Sequence, residues 1–276
     1  MTLTAREEDT FPFFQDYIFA KSAIVLTEEK RYLVETRLAP VVQQANLSCL
    51  GDLMRALLRG DRQLETAVVD AMTTNETSWF RDKAPFEALR DHVLAERMTA
   101  NSGRRALSIW SAACSTGQEP YSVAMILEAH FPELSGWNVE ILATDLSAGA
   151  LARARQGRFS ALEINRGLPA AHLLQYFSRE GAHFQINDAL KRRVLFQQLN
   201  LAQTWPVIPP QDVILLRNVL IYFDAPTRQR VLAGVRANLR PGGFLLLGAA
   251  ETTRELVGGF VPISVAGTTV YQLKEN

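Results

Sequence analysis

The sequence predicts an α/β protein: a small all-helical N-terminal domain, then a Rossmann-like domain with an inserted antiparallel β-subdomain. Apolar residues recur at helical spacing through residues 1–75, whereas short apolar runs alternate with helical segments from residue 104 onwards. Such alternation is typical of a parallel sheet with helical crossovers. We therefore assign residues 1–75 to the helical domain, 76–103 to a linker and 104–276 to the α/β domain.

The helical domain is best marked in the segment LTEEKRYLVETRLAPVV. Thr27 is a candidate N-cap, and Glu28 and Glu29 fall in the first turn, where the helix dipole favours acidic residues. The apolar face comprises Leu33, Val34, Leu38, Val41 and Val42. The segments CLGDLMRALL and LETAVVDAMT continue the periodicity. A further helical pattern, DKAPFEALRDHVLAERM, ends at the polar stretch TANSGRR.

The α/β domain opens with the strand ALSIW, the helix EPYSVAMILEAHF and the strand VEILATD. Ser147 is the expected N-cap of the helix SAGALARARQG, and Gly157 lies just past its end. The segment HFQINDALKRRVLFQ has two β-rich arms around Asn187 and Asp188, which predicts an antiparallel hairpin and a β-subdomain at about residues 158–198. The alternation resumes with DVILLRN, APTRQRVLAGVRANL and FLLLGAAE, and VPISVAGTTVYQL predicts a terminal strand or hairpin.

Composition narrows the classes of function. Among 276 residues, lysine plus arginine and aspartate plus glutamate number 29 each, so the formal net charge is zero. A neutral chain has no electrostatic footprint for a phosphate backbone, and we expect no nucleic-acid partner. No stretch approaches the roughly 18 to 20 apolar residues of a spanning helix, and the start MTLTAREEDT has no apolar signal region. We therefore expect a cytoplasmic protein without membrane insertion.

The cysteines and histidines predict neither a disulfide framework nor a metal site. Cys49 and Cys114 are far apart and lack a Cys-x-x-Cys spacing. The histidines form no pair at a helical ligand spacing; they are His92, His130, His172 and His183. We interpret Cys114 as a small packing residue rather than a nucleophile.

A ligand-binding pattern is visible in LSIWSAACSTGQEPYS. A strand that ends in small residues, a turn through Gly117 and a helix that opens at Glu119 and Pro120 form the arrangement by which open α/β sheets bind nucleotide-like ligands. The small residues that would let the backbone approach a ligand are Ala112, Ala113, Ser115 and Gly117. The pattern is not G-x-G-x-x-G and lacks the P-loop lysine, so tight strand-to-helix packing without a ligand explains it equally well.

Asp145 ends the next strand, where an acidic side chain can accept hydrogen bonds from both hydroxyls of a ribose. Its alternative role is to cap the following helix, although Ser147 is better placed for that, and we favour ribose binding. A ribose site without an obvious phosphate cradle suggests S-adenosylmethionine as the cofactor. The sequence has no G-x-S-x-G elbow and no acid pair that would indicate hydrolysis.

Four segments together resemble the chemotaxis receptor glutamate methyltransferase family, CheR. They are TTNETSWFRD, IWSAACSTGQEPYSVA, ATDLS and LLRNVLIYF, in that order. The resemblance covers nearly the whole chain, including the helical domain and the β-subdomain. It implies a class I S-adenosylmethionine-dependent methyltransferase domain that esterifies glutamate side chains of chemoreceptors and releases S-adenosylhomocysteine.

The resemblance assigns roles by position. Arg81 and Tyr222 are the implied catalytic residues, near the reacting carboxylate. The predicted cofactor-binding residues are Asn75, Thr77, Arg81, Ala113, Gly117, Glu119, Asp145, Asn200, Leu201 and Asn218. Structural alternatives exist: Trp79 and Phe80 as an apolar plug with Arg81 solvated, Asn218 as a turn residue, and Tyr222 as a core residue. The chain departs from common relatives at Trp79, where phenylalanine is frequent, and at Gln118, where an acid is frequent.

A basic patch on the helix TEEKRYLVETRL is the candidate docking surface. Lys30 and Arg37 fall seven residues apart and Arg31 lies on an adjoining strip, so the patch could face an acidic receptor helix. A solvated helix face is the alternative. The resemblance implies receptor contact through this helix, although Ala39 and Pro40 stand where relatives often continue with basic residues. The implied partners are cytoplasmic methylation helices of transmembrane chemoreceptors, and we expect a monomer recruited to receptor arrays.

Two further expectations concern partners and rival functions. The loop SREGAHFQIND is short, so we expect an enzyme that does not need a receptor tether peptide. The alternative function is a non-catalytic cofactor-binding scaffold or sensing module, against which Arg81, Asp145 and Tyr222 together argue. Nucleic-acid base methylation is disfavoured because RNVLIYF is not an Asn-Pro-Pro-Tyr type motif.

Overall fold

The helical domain is built from four helices that close around one apolar core. The computed structural model describes residues 9–252 and 258–274, so the polar start at residues 1–8 lies outside the described residues. The helices are α1 (Phe11–Ser22), α2 (Arg31–Gln44), α3 (Leu50–Leu58) and α4 (Arg62–Met72). Their shared core includes Phe14, Ile18, Val34, Leu38, Leu53 and Val68.

Two details of the helical domain refine the sequence prediction. Thr27 stands at the N-cap of a 3-10 turn, Glu28–Lys30, that precedes α2, but its side chain makes no capping hydrogen bond. Asp61 caps α4 fully, because its side chain accepts hydrogen bonds from the amides of Gln63 and Leu64. After α4, an irregular segment, residues 73–83, leads into a long helix; this segment is called the linker from here on. The long helix occupies most of the predicted 76–103 linker and is composed of α5 (Ala84–Ala88), a π-helical turn (Leu89–Val93) and α6 (Leu94–Ala100).

The α/β domain is centred on a seven-stranded sheet. Its strands in chain order are β1 (Ala106–Ala112), β2 (Asn138–Asp145), β6 (Val194–Gln198), β7 (Gln211–Leu216), β8 (Leu239–Leu247), β9 (Phe260–Val265) and β10 (Thr268–Leu273). The spatial order is β6-β2-β1-β7-β8-β10-β9. The first five of these are parallel, and β10 pairs antiparallel with both β8 and β9. The predicted terminal hairpin is thus β9–β10.

Helices cover both faces of the sheet. α7 (Gln118–His130) and α8 (Ala148–Gln156) pack on one face, with Leu107 and Ile109 of β1, whereas α12 (Ala225–Asn238) packs on the other. Ser147 caps α8 and Gly157 ends it in a left-handed conformation, as predicted. The strand order reverses between β1 and β7, and open α/β sheets bind ligands outside the carboxyl ends of their strands at such a switch point.

The β-subdomain is a separate three-stranded antiparallel sheet, as predicted, but the predicted hairpin around Asn187 and Asp188 is wrong. The sheet consists of β3 (Arg158–Ser160), β4 (Phe177–Glu180) and β5 (His183–Ile186), in the order β3-β5-β4, with α9 (Ala161–Ile164) and α10 (Ala170–Tyr176) between β3 and β4. The hairpin is β4–β5. Asn187 instead caps α11 (Asp188–Lys191), and β6 then joins the main sheet beside β2.

The reason for the error is that Asn-Asp serves two local structures equally well. Asn187 accepts a hydrogen bond from the amide of Leu190, which is an N-cap contact, and Asp188 occupies the first helical turn. The same two residue types are common in hairpin turns. Only the pairing of β6 with β2, which is a long-range contact, decides between them.

The β-subdomain anchors the linker. Trp79 is 1% exposed and packs edge-on against Phe159 and Phe177, at ring-centroid distances of 4.9 and 5.5 Å. The amide of Trp79 donates to the carbonyl of Arg166 at 3.0 Å. Gly167 lies so close that a Cβ there would overlap the carbonyl oxygen of Trp79. The linker is therefore clamped to the subdomain by aromatic packing and by a backbone contact that requires glycine.

We predict that Gly167→Ala destabilises the protein more than Gly181→Ala. Both glycines have positive φ, +96° and +62°, but nothing lies within 4 Å of a Cβ at Gly181. Gly181→Ala should therefore cost only the left-handed penalty of about 1 kcal/mol, whereas Gly167→Ala adds an overlap worth ~1–3 kcal/mol. Urea denaturation of both variants measures the difference. Equal losses of stability would contradict the clamp.

Candidate functional site

A cleft lies at the carboxyl edge of β1, β2 and β7, where the linker and the helical domain close over the sheet. Ten of the residues predicted from the sequence line it: Asn75, Thr77, Arg81, Ala113, Glu119, Asp145, Asn200, Leu201, Asn218 and Tyr222. Gly117, also predicted to bind the cofactor, is outside this lining. The cleft thus brings together residues from five segments that are far apart in the sequence.

The turn between β1 and α7 presents backbone to the cleft. Ala113 and Ser115 have φ values of +61° and +52°, which are unusual for residues with a Cβ. Gly117 has a φ of +95°, and a Cβ there would lie 3.0 Å from the Cβ of Ala154. Glycine is therefore needed at this position for helix packing as well as for the turn. Ala113 is the small residue at the cleft wall.

Asp145 is held at the end of β2 by two backbone amides. Ser115 N donates to its Oδ2 at 2.8 Å, and Ser147 N donates to its Oδ1 at 2.9 Å. Burial raises the pKa of the Asp145 carboxyl above its ordinary value of 3.8, and these amide hydrogen bonds oppose the shift only in part. The Asp145 carboxylate is thus held in a fixed orientation between the β1–α7 turn and the turn that follows β2.

Glu119 belongs to a buried ion network that the sequence did not reveal. Its Oε1 accepts a hydrogen bond from Ser111 Oγ at 2.8 Å, and its Oε2 accepts one from Arg217 Nη1 at 2.9 Å. Arg217 Nη2 also donates to the carbonyl of Arg81 and to Asp82 Oδ2, at 2.8 and 2.9 Å. The Arg217 side chain is 1% exposed. This guanidinium therefore ties α7, β7 and the linker together beside the cleft.

The linker has a constrained conformation around Arg81. Phe80, Asp82 and Lys83 have φ values of +47°, +69° and +47°. Arg81 Nη1 donates to the carbonyl of Glu76 at 3.0 Å, and Arg81 is one of the residues that line the cleft. Within TTNETSWFRD, Trp79 is buried in the apolar core and Arg81 is among the residues that line the cleft, and the catalytic role of Arg81 stays a prediction. Such strain is common in segments that position functional groups.

The residues at the far end of the cleft are fixed by the helical domain. Asn200 Nδ2 donates to the carbonyl of Lys21 at 2.7 Å, and Asn200 Oδ1 accepts from the amide of Ala202 at 2.9 Å. Ser22, the last residue of α1, and Ile24, from the segment that follows it, complete the lining there. These contacts show that the helical domain forms one wall of the cleft, which the sequence alone did not indicate.

The loop after β7 depends on Glu251, another residue that the sequence analysis missed. Its carboxylate accepts hydrogen bonds from the amides of Asn218, Val219, Leu220 and Gly248, at 2.7 to 2.8 Å. Asn218 has a φ of +58°. The carbonyl of Tyr222 accepts from the amide of Val25 at 3.0 Å. One carboxylate therefore fixes the backbone that carries both predicted residues of this loop.

Cys114 lies in the wall of the cleft without being reactive. It is 1% exposed, and burial raises the pKa of its thiol well above the ordinary value, as do the nearby charges of Asp145 and Glu119. The thiol is therefore protonated at neutral pH, which agrees with its interpretation as a packing residue.

Each residue of the predicted docking patch has a partner within the chain. Lys30 Nζ donates to the carbonyl of Val25 at 3.3 Å. Arg31 pairs with Asp9 and Glu28. Arg37 donates to two carbonyls at the end of α4, of Met72 and Thr73, and to the hydroxyl of Thr74. Arg37 thus also supports the start of the linker, and receptor docking stays a prediction.

The described residues set two further bounds. Within residues 9–252 and 258–274, no group of three or more His, Cys, Asp or Glu side chains is arranged to hold a metal ion. In the same part of the chain, no helix combines the length and apolar character needed to cross a bilayer.

Comparison with known proteins decides the family. The CheR methyltransferase SAM binding domain matches residues 75–266, and the CheR methyltransferase all-alpha domain matches residues 9–73. The chain belongs to the CheR methyltransferase family. Its relatives include chemotaxis protein methyltransferase 1 of Pseudomonas aeruginosa, 39% identical over 96% of this chain and 97% of that protein. Chemotaxis protein methyltransferase 1 of Vibrio cholerae is 40% identical over 99% of this chain and 100% of that protein.

One solved methyltransferase structure shows a weaker likeness to this CheR chain. Magnesium protoporphyrin IX methyltransferase from Synechocystis PCC 6803 with bound SAM matches at a TM-score of 0.37 and 15% identity, covering 69% of this chain and 79% of that chain.

We predict that Arg217→Met destabilises this CheR chain by about 3–5 kcal/mol, because it leaves the Glu119 carboxylate buried without its charged partner. The matched control is Arg166→Met, since Arg166 pairs with Glu76 at 2.9 Å but both side chains are about half exposed or more, at 47% and 66%. That pair should contribute only ~0–1 kcal/mol. Urea denaturation of both variants measures the contrast, and equal losses would contradict the role of the Arg217 network.

Proposed function

We propose that this chain transfers the methyl group of S-adenosylmethionine to glutamate side-chain carboxylates on the cytoplasmic helices of chemoreceptors. The products would be glutamate methyl esters and S-adenosylhomocysteine. The observation that carries the proposal is the convergence of Arg81, Asp145 and Tyr222 on one cleft of a CheR family chain. The chemotaxis names of its relatives support the receptor as the substrate.

The residues of the cleft suit S-adenosylmethionine. The Asp145 carboxylate, already oriented by two amides, can accept from the ribose hydroxyls. Glu119, behind the β1–α7 turn, offers a carboxylate to the cationic amino group, and Asn75 and Thr77 of the linker offer further polar groups. Leu201, which is 7% exposed, gives an apolar surface for the adenine beside Asn200. The cleft lining thus includes both the charged and the apolar groups that the cofactor requires.

The reaction needs no general base. A free glutamate has a pKa of about 4.3, so the attacking carboxylate is ionised at neutral pH. When bound, the cofactor supplies a methyl group on a sulfonium: the carboxylate oxygen bonds to the methyl carbon, the carbon–sulfur bond breaks, and its electron pair stays on sulfur. The protein's task is to align the carboxylate with that methyl group and to replace its water with fixed donors.

Arg81 and Tyr222 are the proposed donors to the carboxylate. Arg81 and Tyr222 both line the cleft, and a guanidinium and a phenol can each donate to one carboxylate while leaving a lone pair free for attack. Positive φ values on both sides of Arg81 restrict where its side chain can reach. This positions the charge before the substrate arrives, so little reorganisation is needed in the transition state.

Receptor docking is proposed to use the helical domain, with Lys30, Arg31 and Arg37 towards an acidic receptor helix. The internal partners of these residues do not exclude this role, because Arg31 and Arg37 have more donors than their present contacts use. We further propose a monomer that acts in the cytoplasm at receptor arrays and needs no tether peptide. A non-catalytic cofactor-binding scaffold of the same fold is the rival function.

A transfer assay tests the proposal. Receptor-containing membranes are incubated with the protein and methyl-labelled S-adenosylmethionine, then treated with alkali, and volatile methanol is counted. Alkali releases methanol from a carboxyl methyl ester, so label on a receptor band that is lost as methanol supports glutamate esterification. Cofactor binding without transfer to any receptor would favour the scaffold, and alkali-stable label would point to a different acceptor atom.

We predict that Arg81→Ala lowers kcat about 100-fold or more, because a donor to the reacting carboxylate is lost, while cofactor affinity changes less. The control is Arg153→Ala, which removes an arginine that pairs with Glu163 on the surface, outside the cleft. Steady-state transfer rates and calorimetric cofactor titrations measure the two effects. An unchanged kcat would remove Arg81 from the chemistry.

Cofactor affinity should also depend on pH through Asp145. Burial raises the pKa of this carboxyl, and ribose hydroxyls donate to its ionised form. Affinity should therefore be full above the raised pKa and fall as the pH drops through it, beginning at a higher pH than an ordinary aspartate with a pKa of 3.8 would cause. Asp145→Asn should bind about tenfold more weakly or worse, a loss of ~1.4 kcal/mol, without this acid limb. Calorimetry across pH checks both, and a wild-type affinity for Asp145→Asn would remove the ribose assignment.

A further inference from the structure

The helical domain reaches into the cofactor side of the α/β domain through Asp70, near the end of α4. Asp70 Oδ1 accepts from the amide of Ala148 at 3.1 Å, and Asp70 Oδ2 accepts from the amide of Gly149 at 3.0 Å. Both amides belong to the first turn of α8. A Cβ on Gly149 would lie 3.1 Å from Asp70 Oδ2, so glycine permits this close approach.

The first turn of α8 is satisfied jointly by two domains. The amide of Ala150 donates to Ser147 Oγ at 3.0 Å, which is the ordinary N-cap contact. The amide of Ser147 itself donates to Asp145 Oδ1. The two remaining amides of the turn donate to Asp70. Since the first amides of a helix have no partner within it, each of these contacts fills a need that the helix cannot meet alone.

Asp70 and Asp145 therefore both accept hydrogen bonds from the backbone at the start of α8, residues 147–149. Asp145 accepts from Ser147, and Asp70 accepts from the next two residues, so a shift of this turn moves the donor that orients the Asp145 carboxylate. The charge of Asp70 also acts on Asp145, whose pKa it helps to raise. The thiol of Cys114 is also beside Asp145, and the same cleft is lined by the charged residues Glu76, Arg81, Glu119 and Arg217. A Lys21–Glu65 ion pair lies near Asp70.

We propose that Asp70 is a positioning residue for the cofactor site, which fixes the first turn of α8 from the helical domain and thereby sets the orientation of the Asp145 carboxylate. This inference rests on the cofactor role proposed for Asp145, not on the identity of the methyl acceptor. It makes the helical domain part of the cofactor site. By linkage, cofactor binding and the contact between the two domains then strengthen each other by the same factor.

The test compares Asp70→Ala with Asp61→Ala. Both aspartates accept two backbone amides at a helix N-terminus, but Asp61 caps its own helix α4, within the helical domain. The two substitutions should therefore lower the Tm by similar amounts. Calorimetric titration with S-adenosylhomocysteine should show an affinity about three- to tenfold weaker for Asp70→Ala and unchanged for Asp61→Ala.

Asp70→Asn tests the electrostatic coupling between Asp70 and Asp145. It keeps an acceptor oxygen but removes the negative charge near Asp145, so the acid limb of S-adenosylhomocysteine binding should move to lower pH. A limb at the wild-type pH would show that the two carboxylates are not coupled. The variant also serves if Asp70→Ala does not fold.

The outcomes are distinct. If the wild-type protein binds S-adenosylhomocysteine and both Asp70 variants match its affinity and pH profile, the inference is overturned while the proposed function stands. Equal weakening by Asp61→Ala would also overturn it, since the effect would then follow stability alone. If the wild-type protein does not bind S-adenosylhomocysteine, the cofactor assignment fails and the inference fails with it.

Discussion

The guanidinium of Arg217 is bonded to groups from two separate parts of the chain: the carboxylate of Glu119 on α7, and the carbonyl of Arg81 and carboxylate of Asp82 in the linker. A charge that is 1% exposed is tolerated in a protein interior only with such partners. The need to satisfy Arg217 therefore holds the linker against the sheet. This contact helps to fix the backbone of Arg81, the residue proposed to hold the carboxylate substrate.

The linker stays in its strained path because several independent contacts over-determine it. Left-handed residues of this kind cost of order 1–3 kcal/mol each, and three of them occur within Phe80–Lys83. On one side the β-subdomain clamps Trp79 through Phe159, Phe177 and the close approach of Gly167. On the other side, Ser115 Oγ donates to the carbonyl of Asn75 at 2.8 Å. The segment is thus fixed at both ends and in the middle, which suits a group that must be positioned before its substrate binds.

Local patterns in the sequence were sufficient for much of the fold and for most of the cleft lining. The strand–helix alternation predicted the parallel sheet, and Asp145 was placed at a strand end because that position follows from strand length and polarity. The roles of Arg217 and Glu251 could not be predicted, because their partners lie far away in the sequence. Arg217 pairs with Glu119, 98 residues earlier, and Glu251 accepts hydrogen bonds from amides about 30 residues earlier. An isolated arginine directly after the apolar run DVILL was the available signal for the first. The pairing of β6 with β2 and the contacts of Arg37 with the end of α4 could not be predicted for the same reason.

We propose that the strand-end loops and the linker form one cofactor site that spans both domains. Hydrogen exchange with and without S-adenosylhomocysteine tests it most directly, because it reports on each segment separately. The account predicts that ligand slows exchange together in peptides that cover the linker, the β1–α7 turn and the first turn of α8. Protection of the two strand-end turns with no change in the linker would contradict it, since the linker would then lie outside the site.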